Sequence, residues 1–429
     1  MRAVLERRGL IAGAALAAIA TGFFSDGAEA GVLDAVRSGK DGALPLVLLA
    51  GCTGLLLLQW FTSFLALWRL KHPVERLSTS LPPVSLIRPC CGVDAYDEAT
   101  LASSFRLDYP KYEIIFCVAS ERDPAAALVR RLIALHPERP ARLLVGDSTL
   151  TTNPKVNNLV KAVPRAKYEI LCMTDANLLL PRDYLLRLVE RFDKETGMVS
   201  SPAAGGNPEN FWGSVEAAML NSHQARWQYI PDIAGQGFAQ GKTLCFRKSV
   251  LLKGGGMKAL GTEMAEDVAS TKLVRRQGLR VRLPQAPFFQ PIGRKTFRQV
   301  WGRQLRWARI RRDGFPLIYL PEILLGIVPA LACILPLVVT GVIPAWFVAA
   351  LTVLWYVPEV IQCRVMGWPC ALRDVLAMMV RDFLMPALWI CGWFGRRIVW
   401  RGNVIETRES INAAEAAKRR AGRGGLKNA

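Results

Sequence analysis

The chain has 429 residues, of which 51% are hydrophobic and 21% are charged, and its formal net charge is +20. This length accommodates one soluble domain of ordinary size together with membrane spans. The positive charge suits a polyanionic partner, such as nucleic acid, anionic lipid or a diphosphate. Residues 45–69 carry no charge before Arg69 and could cross about 30 Å of hydrocarbon, so a membrane partner is favoured over nucleic acid.

The amino-terminal region predicts a membrane attachment. Residues 1–30 combine a basic start, an apolar stretch and a small-residue ending, which resembles a signal peptide, although an extra apolar segment would look similar. Residues 45–69 predict a transmembrane helix. Because Arg69, Lys71 and Arg76 follow it, the positive-inside rule places the next domain in the cytoplasm, and we expect a bacterial inner membrane protein.

Residues 84–315 alternate between short apolar runs and helical patterns, as βαβ units do. This alternation predicts an α/β domain with a Rossmann-like, mainly parallel sheet. Strands are expected at 84–88, 112–118, 142–145, 169–173 and 197–200, and helices at 124–135 and 181–192. Ligands of such sheets gather at the carboxyl ends of the strands.

The region 322–395 predicts a second membrane region of two or three helices. Spans are expected at 322–340 and 343–362, and a third apolar stretch covers 374–395. That stretch contains Arg381 and Asp382, so it could lie in the interface, fold back, or pack its ion pair inside the bundle. The basic tail at 396–429 is expected to be cytoplasmic.

Asp175-Ala176-Asn177 follows the predicted strand at 169–173, so its polar side chains would lie at the carboxyl edge of the sheet. Asp175 and Asn177 offer the hard oxygen ligands that Mg²⁺ or Mn²⁺ would need to bridge a nucleotide diphosphate. Alternatively, Asp175 caps the next turn or helix.

Three further segments could bind a nucleotide. Asp123 follows the second strand, and it could contact a base or ribose or serve only as the N-cap ahead of Pro124. Asp94, after the first strand, has the same two interpretations. Lys155 and Asn157 could contact phosphate or ribose, or could belong to a turn that starts a helix.

Asp267 stands at the start of a helical pattern that ends near Arg276. Glycosyl transfer to a hydroxyl needs a carboxylate that takes the acceptor's proton, and Glu266 or Asp267 could supply it. A solvated acid in the first turn of a helix explains the same residue.

Residues 297–312 combine aromatic and basic side chains and predict a helix at the level of the lipid headgroups. Within this segment Arg306 could steady a leaving diphosphate, although a plain amphipathic anchor is the alternative. His223 lies in an aromatic segment that could dock on the bilayer, and it could equally be structural.

Taken together, the chain resembles the ceramide glucosyltransferases, membrane-bound relatives of the processive-type glycosyltransferases with a GT-A fold. The resemblance covers residues 84–403 and depends on five motifs in order. They are Gly92-Val93-Asp94, the segments 107–113 and 153–159, Ala265-Glu266-Asp267, and a Gln-x-x-Arg-Trp-like motif at 304–307.

The resemblance implies roles for single residues. Asp123 would bind the nucleotide, Asp175 the metal and diphosphate, and Asp267 would be the catalytic base. Gln304, Arg306 and Trp307 would help to bind the donor diphosphate and the acceptor, and His223 would border the acceptor site. A single displacement would invert the anomeric centre and give a β-glycoside.

Two motifs depart from the family pattern. Asp175-Ala176-Asn177 lacks a second carboxylate, which leaves the identity of the metal open. The motif at 304–307 is one residue short, so either Gln304 or Arg303 takes the place of the family's glutamine.

The expected reaction is transfer of glucose from UDP-glucose to the primary hydroxyl of a ceramide-like lipid in the bilayer. Diacylglycerol or hopanoid acceptors and UDP-galactose, UDP-glucuronate or UDP-N-acetylglucosamine donors remain alternatives, as does a processive polysaccharide synthase. A non-catalytic membrane scaffold is the alternative from another class, and no nucleic-acid partner is expected.

Overall fold

The computed structural model describes residues 43–263, 265–395, 397–400 and 403–406. The signal-like segment at 1–30 lies outside the described residues, as does most of the basic tail at 396–429. Of that tail, the strands Arg397–Trp400 and Asn403–Glu406 are described, and they pair antiparallel.

Nine strands precede the membrane helices of the carboxyl-terminal part. They are β1 (Val84–Pro89), β2 (Tyr112–Val118), β3 (Ala141–Val145), β4 (Ile170–Thr174), β5 (Thr196–Ser201), β6 (Ala203–Pro208), β7 (Thr243–Arg247), β8 (Arg280–Arg282) and β9 (Phe288–Gly293). Seven of them form one sheet in the order β3-β2-β1-β4-β7-β5-β8, while β6 and β9 pair separately.

Helices connect these strands and follow them. The helices of the α/β domain are Asp97–Ala102, Pro124–Leu135, Pro154–Leu159, Tyr184–Val189, Phe211–Ala218, Arg226–Ile233, Lys248–Lys253, Gly256–Leu260, Glu266–Arg276 and Phe297–Gly314. A π-helix, Met219–Ala225, joins two of them. The predicted helix at 181–192 is shorter than expected, because it begins only after the turn that ends at Asp183.

The main sheet is mostly parallel, with one reversed strand. Strands β1, β2, β3 and β4 run parallel, whereas β7 runs antiparallel to both β4 and β5. The carboxyl ends of β1, β2 and β4 therefore lie at the same edge as the amino end of β7. This arrangement confirms the predicted α/β fold class and assembles the site from distant parts of the chain.

Apolar side chains alternate between the two faces of the sheet, as the period of two in a strand requires. Leu86, Phe116 and Cys172 pack into the core on one face. Ile87, Ile115 and Met173 from the same strands pack into the core on the other face. Both faces are covered, which is usual for parallel sheets and holds the strand ends in fixed positions.

In the part of the chain that the structure describes, four helical segments have the length and composition to cross a membrane: Ala43–Lys71, Pro316–Val339, Trp346–Met366 and Leu372–Trp393. The chain folds into two compact units. The first combines the described part of Met1–Trp60 with Leu324–Val357, and within it Trp60 Nε1 donates to the Leu354 carbonyl at 2.9 Å. The second contains the sheet, and in it Arg69 pairs with Asp232 at 2.6 Å.

The uncertain third stretch forms one continuous helix, Leu372–Trp393. Its two central charges are buried and paired, because Arg381 contacts Asp382 at 2.7 Å and Glu359 at 2.8 Å. Arg381 also donates to Ser222 Oγ at 2.8 Å. Of the three arrangements considered from the sequence, packing of the ion pair inside the protein is the one the structure has.

Candidate active site

Pairing between β4 and β7 brings Asp175 next to Lys242. Thr174 is opposite Thr243 in the register, and the Asp175 backbone N–H donates to the Lys242 carbonyl at 3.1 Å. The Lys242 ammonium lies 3.3 Å from Asp175 Oδ2 and 3.2 Å from Asn177 Oδ1. The ends of two antiparallel strands thus place a buried cation beside the Asp-Ala-Asn motif.

A second lysine links the Asp175 carboxylate to the helix Glu266–Arg276. Lys155 Nζ lies 2.6 Å from Asp175 Oδ1 and 2.6 Å from Glu266 Oε1, and it donates to the Gly241 carbonyl at 2.6 Å. All three ammonium protons of Lys155 therefore have an acceptor. Burial would lower the pKa of Lys155, but the carboxylates of Asp175 and Glu266 raise it, so this lysine stays charged.

Backbone N–H groups hold the carboxylate of Asp267. Its Oδ2 accepts from Gly241 at 2.9 Å and its Oδ1 from Val268 at 2.7 Å. Burial and the neighbouring Glu266 carboxylate raise the pKa of Asp267 to about 7. A carboxyl group with such a pKa can accept a proton near neutral pH, as a general base must.

Two groups at the Asp-Ala-Asn motif also have shifted pKa values. Burial opposes ionisation of Asp175, but the ammonium groups of Lys155 and Lys242 outweigh it and lower the pKa of Asp175. Burial lowers the pKa of Lys242 to about 8, although the Asp175 carboxylate works against the shift.

Gly241 lies at the centre of this group of side chains. A Cβ atom at this position would come within 2.8 Å of Glu266 Oε1 and 3.5 Å of Lys155 Nζ. Real Cβ atoms do not approach a neighbour so closely without displacing it. A larger residue at this position would therefore displace the Glu266 carboxylate, which pairs with Lys155.

The oxygens predicted as metal ligands converge on one cationic position. Asp175 Oδ2 and Asn177 Oδ1 both contact Lys242 Nζ, which stands in for a cation between them. Hard oxygen donors of this kind fit Mg²⁺ or Mn²⁺. Among the described residues, no group of three or more His, Cys, Asp and Glu side chains is placed to hold a metal ion.

Asp123 connects the loops that follow β1 and β2. Its two carboxylate oxygens accept from the Gly92 N–H at 2.9 and 3.1 Å, and one also accepts from Ala125 at 2.9 Å. Asp123 is thus the N-cap of the helix Pro124–Leu135, as one interpretation of the sequence had it. Asp94 lies on the same loop as Gly92 and lines a surface cleft with Glu98 and Arg131.

Asn157 contacts the loop that precedes its own helix. Its Oδ1 accepts from the Thr151 N–H and hydroxyl, both at 2.9 Å, and its Nδ2 donates to the Thr151 carbonyl at 2.8 Å. These contacts match the turn-and-helix alternative for Asn157. The structure therefore brings Lys155, but not Asn157, into contact with Asp175.

The predicted interfacial helix is Phe297–Gly314, and a capping box of Thr296 and Gln299 fixes its start. A buried glutamate on the neighbouring helix, Glu216, accepts from Arg303 at 2.8 Å and from Gln304 at 3.4 Å. Arg303 contributes to the lowered pKa of Lys242, whereas Gln304 is buried against Gln224 and Glu216. Of the two candidates for the family's glutamine, Arg303 is thus the one whose charge acts on Lys242, the lysine beside Asp175.

His223 lies in the π-helix Met219–Ala225 and lines a cavity with Gln304, Arg311 and Trp389. Burial, and then nearby arginines, lower the pKa of His223 well below its usual value, so its imidazole is neutral. Trp307 packs against a cluster that contains Ala217, Leu220 and Ile292. Arg306, on the same helix, is partly buried.

The sequence interpretation missed two residues of this site, Lys242 and Glu216. Lys242 precedes a strand whose antiparallel position could not be read from the chain, so nothing linked it to Asp175. Glu216 is a single acid in the apolar run of the helix Phe211–Ala218, and its isolation was the available signal. A charged side chain is seldom fully buried without a partner, and here the partner is Arg303.

The fold is similar to that of the mannosyltransferase PcManGT from Pyrobaculum calidifontis, solved in complex with GDP-Man and Mn²⁺. The TM-score is 0.52 and the identity 19%, over 82% of this chain and 97% of that chain. The sheet with its acidic residues at the carboxyl edge is thus a GT-A-like domain, the fold of a class of glycosyltransferases.

Residues 52–413 match glycosyl transferase family 21, and the chain belongs to this family. It is 29% identical over 293 residues to ceramide glucosyltransferase 1 of Caenorhabditis elegans. The aligned residues cover 67% of this chain but only 62% of that relative. It is 25% identical over 448 residues to the ceramide glucosyltransferase of Komagataella phaffii. This alignment covers 80% of this chain and 86% of that relative. The predicted family is confirmed, and the protein is a glycosyltransferase.

Proposed function

We propose that the protein transfers glucose from UDP-glucose to the primary hydroxyl of ceramide in the membrane, with inversion at the anomeric carbon. The names of its relatives support ceramide as acceptor and glucose as sugar. The main structural support is the Asp267 carboxylate, which has a pKa near 7 and lies beside the group that contains Asp175.

In this proposal Asp267 is the general base. Its carboxylate takes the proton of the acceptor hydroxyl as the oxygen attacks the anomeric carbon, and the bond to the donor diphosphate breaks. The backbone N–H groups of Gly241 and Val268 hold the carboxylate in one orientation. General base catalysis of this kind contributes about 10²- to 10⁴-fold to a rate.

The donor diphosphate would lie at the edge where Asp175, Asn177 and the two lysines meet. Asp175 and Asn177 would hold a divalent cation, Mg²⁺ or Mn²⁺, which would offset the negative charge of the leaving diphosphate. Arg303 and Arg306 would add positive charge from the helix Phe297–Gly314. Asp123 and Asp94 would position the nucleotide from the loops after β2 and β1. Ligands of parallel sheets bind at the carboxyl ends of the strands, where these loops lie.

The acceptor would enter through the cavity that His223 lines. Polar side chains of Gln304 and Arg311 and apolar side chains of Met219 and Leu388 line this cavity, whose volume of about 20 Å³ holds one water molecule, so these side chains would have to move apart to admit a lipid headgroup. The neutral imidazole of His223 can donate to or accept from a hydroxyl. Trp307, on the helix that also contributes Gln304, would support this side of the site.

The test uses isolated membranes that contain the wild-type protein or Asp267→Asn. Labelled UDP-glucose is added with Mg²⁺ and with ceramide, diacylglycerol or a hopanoid, and the lipids are analysed by mass spectrometry. We expect a labelled hexosyl ceramide from the wild type and at least 100-fold less from Asp267→Asn. A β-linkage in the product, measured by the one-bond carbon–proton coupling of the anomeric centre, supports inversion.

Asp183→Asn is the matched control, because Asp183 is exposed and makes only a distant ion pair with Arg187. It should retain wild-type activity. A labelled glycolipid that forms only from diacylglycerol or a hopanoid would replace the proposed acceptor. If no labelled lipid forms from UDP-glucose but labelled lipid forms from UDP-galactose, UDP-glucuronate or UDP-N-acetylglucosamine, that nucleotide sugar replaces the proposed donor.

A further inference from the structure

Two lysines contact Asp175, and they do so in different ways. Lys155 has three acceptors, each at 2.6 Å. Lys242 has Asp175 Oδ2 at 3.3 Å and Asn177 Oδ1 at 3.2 Å. Charge-assisted hydrogen bonds are normally about 2.7 to 2.9 Å long, so Lys155 is held firmly and Lys242 loosely.

The sheet holds the backbone of Lys242, whereas its ammonium makes the two longer contacts, with Asp175 and Asn177. Its carbonyl accepts from Asp175 at the end of the β4 and β7 pair, and the residue is buried. The side chain therefore pivots about a point set by the sheet, close to both predicted metal ligands. Such an arrangement lets the ammonium move by rotation of its own torsions without any change in the fold.

A divalent cation and the Lys242 ammonium cannot share the same two oxygens, because like charges a few ångströms apart repel strongly in a buried site. The Arg303 guanidinium adds to the positive charge near Lys242. The lysine must therefore leave before a cation binds Asp175 and Asn177. A nucleotide diphosphate at this edge of the sheet would offer the departing ammonium new anionic partners.

We propose that the Lys242 ammonium is an exchangeable internal cation, which occupies the Asp175–Asn177 position in the nucleotide-free enzyme and passes to the donor diphosphate on binding. This inference rests on the proposed function, since it requires a nucleotide diphosphate at the site. Lys242 couples cation binding to nucleotide binding, so that the site holds a divalent cation firmly only when the nucleotide is present. It is a positioning residue, distinct from the base Asp267.

The first test measures Mn²⁺ binding to the full chain in nanodiscs, from the electron paramagnetic resonance signal of free Mn²⁺, with and without saturating UDP. For the wild type, UDP should tighten Mn²⁺ binding at least tenfold. Lys242→Met should bind Mn²⁺ about tenfold more tightly than the wild type without UDP and should gain little from UDP. Mn²⁺ binding by Lys242→Met that matches the wild type in both states would overturn the proposal.

Lys253→Met is the matched control, because Lys253 is exposed on a different helix and its loss removes the same charge. It should bind Mn²⁺ as the wild type does. Asp175→Asn should abolish the UDP-dependent binding, and its retention would place the Mn²⁺ elsewhere and overturn the proposal. If Lys242→Met does not give folded protein by size-exclusion chromatography, Lys242→Gln takes its place.

The second test omits the metal. UDP affinity is measured by calorimetry in the presence of EDTA, where Lys242→Met should bind UDP at least fivefold more weakly than the wild type, because the diphosphate loses an ammonium partner. Equal UDP affinities of the wild type and Lys242→Met would contradict the proposed contact of the Lys242 ammonium with the diphosphate. Synthesis of hexosyl lipid by the wild type, together with unchanged Mn²⁺ and UDP binding in Lys242→Met, contradicts this inference alone. A wild type that neither binds UDP nor makes hexosyl lipid contradicts both proposals.

Discussion

Asp175 and Asp267 are carboxylates of one site with opposite electrostatic surroundings. Two ammonium groups contact Asp175 and lower its pKa against the effect of burial. Asp267 has backbone N–H donors and lies beside Glu266, and burial and this neighbour raise its pKa to about 7. Neighbouring acids whose pKa values move apart are typical of active sites that divide binding and proton transfer between them.

The pH dependence of transfer should follow the ionisation of Asp267. The base is active only when deprotonated, and its pKa is raised to about 7, so kcat/KM should rise about tenfold per pH unit up to about pH 7 and level off above it. Measurement of labelled lipid formation from pH 5.5 to 8.5 checks this. A profile that is flat below pH 7 would show that a group with an ordinary carboxyl pKa controls the reaction.

At the residue scale, the sequence indicates the acidic residues of the candidate site more clearly than the residues that contact them. Asp175 and Asp267 could be predicted because each stands next to a recognisable strand end or helix start. Lys242 could not, since its contact with Asp175 depends on the pairing of β7 with β4, which no local pattern encodes. The contacts of Asn157 with Thr151 were also hidden, because a loop's internal hydrogen bonds depend on its three-dimensional path.

The helix Phe297–Gly314 is placed by one buried contact as much as by its amphipathic face. Glu216 on the helix Phe211–Ala218 holds both Arg303 and Gln304. The sequence predicted the extent of the helix from its aromatic and basic residues. It could not predict the rotation of the helix about its axis, to which Glu216 contributes through Arg303 and Gln304.

Replacement of this glutamate tests its role. Glu216→Gln keeps the shape of the side chain but removes the charge that pairs with Arg303, and a hydrogen bond to a charged group contributes about 1.5 to 3 kcal/mol. We expect a lower melting temperature in detergent and a several-fold loss of transfer activity. Glu138→Gln, at an exposed position, should change neither. Unchanged activity in Glu216→Gln would mean that the rotation of the helix is set by other contacts.

The buried charges of the helix Leu372–Trp393 support the π-helix that contains His223. Arg381 donates to Ser222 Oγ at 2.8 Å and to the Ala218 carbonyl at 3.3 Å, and it also pairs with the carboxylates of Glu359 and Asp382. π-Helices are rare and are frequent at functional sites. The ion pair therefore stabilises an unusual backbone beside the cavity that His223 lines, the proposed entry of the acceptor.

A double-mutant cycle measures this support. Arg381→Met removes the buried guanidinium that pairs with the Glu359 and Asp382 carboxylates and should destabilise the protein by about 3 to 5 kcal/mol. The double variant Arg381→Met/Glu359→Gln should be more stable than Arg381→Met, since it removes one of those charges. Thermal denaturation in detergent and the yield of folded protein check both. Strictly additive losses would indicate that Arg381 and Glu359 do not stabilise one another.

At the scale of the whole molecule, the sequence predicted the α/β class and the regions of apolar sequence that form helices. Hydrophobic periodicity is sufficient for both, because it reflects which faces are buried. Hydrophobic periodicity could not predict the strand order β4-β7-β5, because β7 follows β5 in the chain only after the helical segment from Phe211 to Ile233. The sequence also left the arrangement of Arg381 and Asp382 open among three alternatives.

The orientation of the catalytic domain can be tested with a natural cysteine. The ten cysteines are free, and Cys91, in the loop after β1, is the exposed one among them. If the domain is cytoplasmic, a membrane-impermeant maleimide should label Cys91 in inverted vesicles but not in intact cells. Cys91→Ser should lose the label. Labelling of Cys91 in intact cells would reverse the predicted orientation.

The reversed strand β7 has a consequence for the synthesis of the chain on the ribosome. Asp267 follows Asp175 by 92 residues, which correspond to about 5 to 18 s of translation at about 5 to 20 residues per second. During that interval the nascent strands β1 to β4 can pair, but Asp175 lacks the Lys242 segment and the helix that contains Glu266. The group of side chains around Asp175 and Asp267 can therefore assemble only late in the synthesis of the chain, after β1 to β4 have become able to pair.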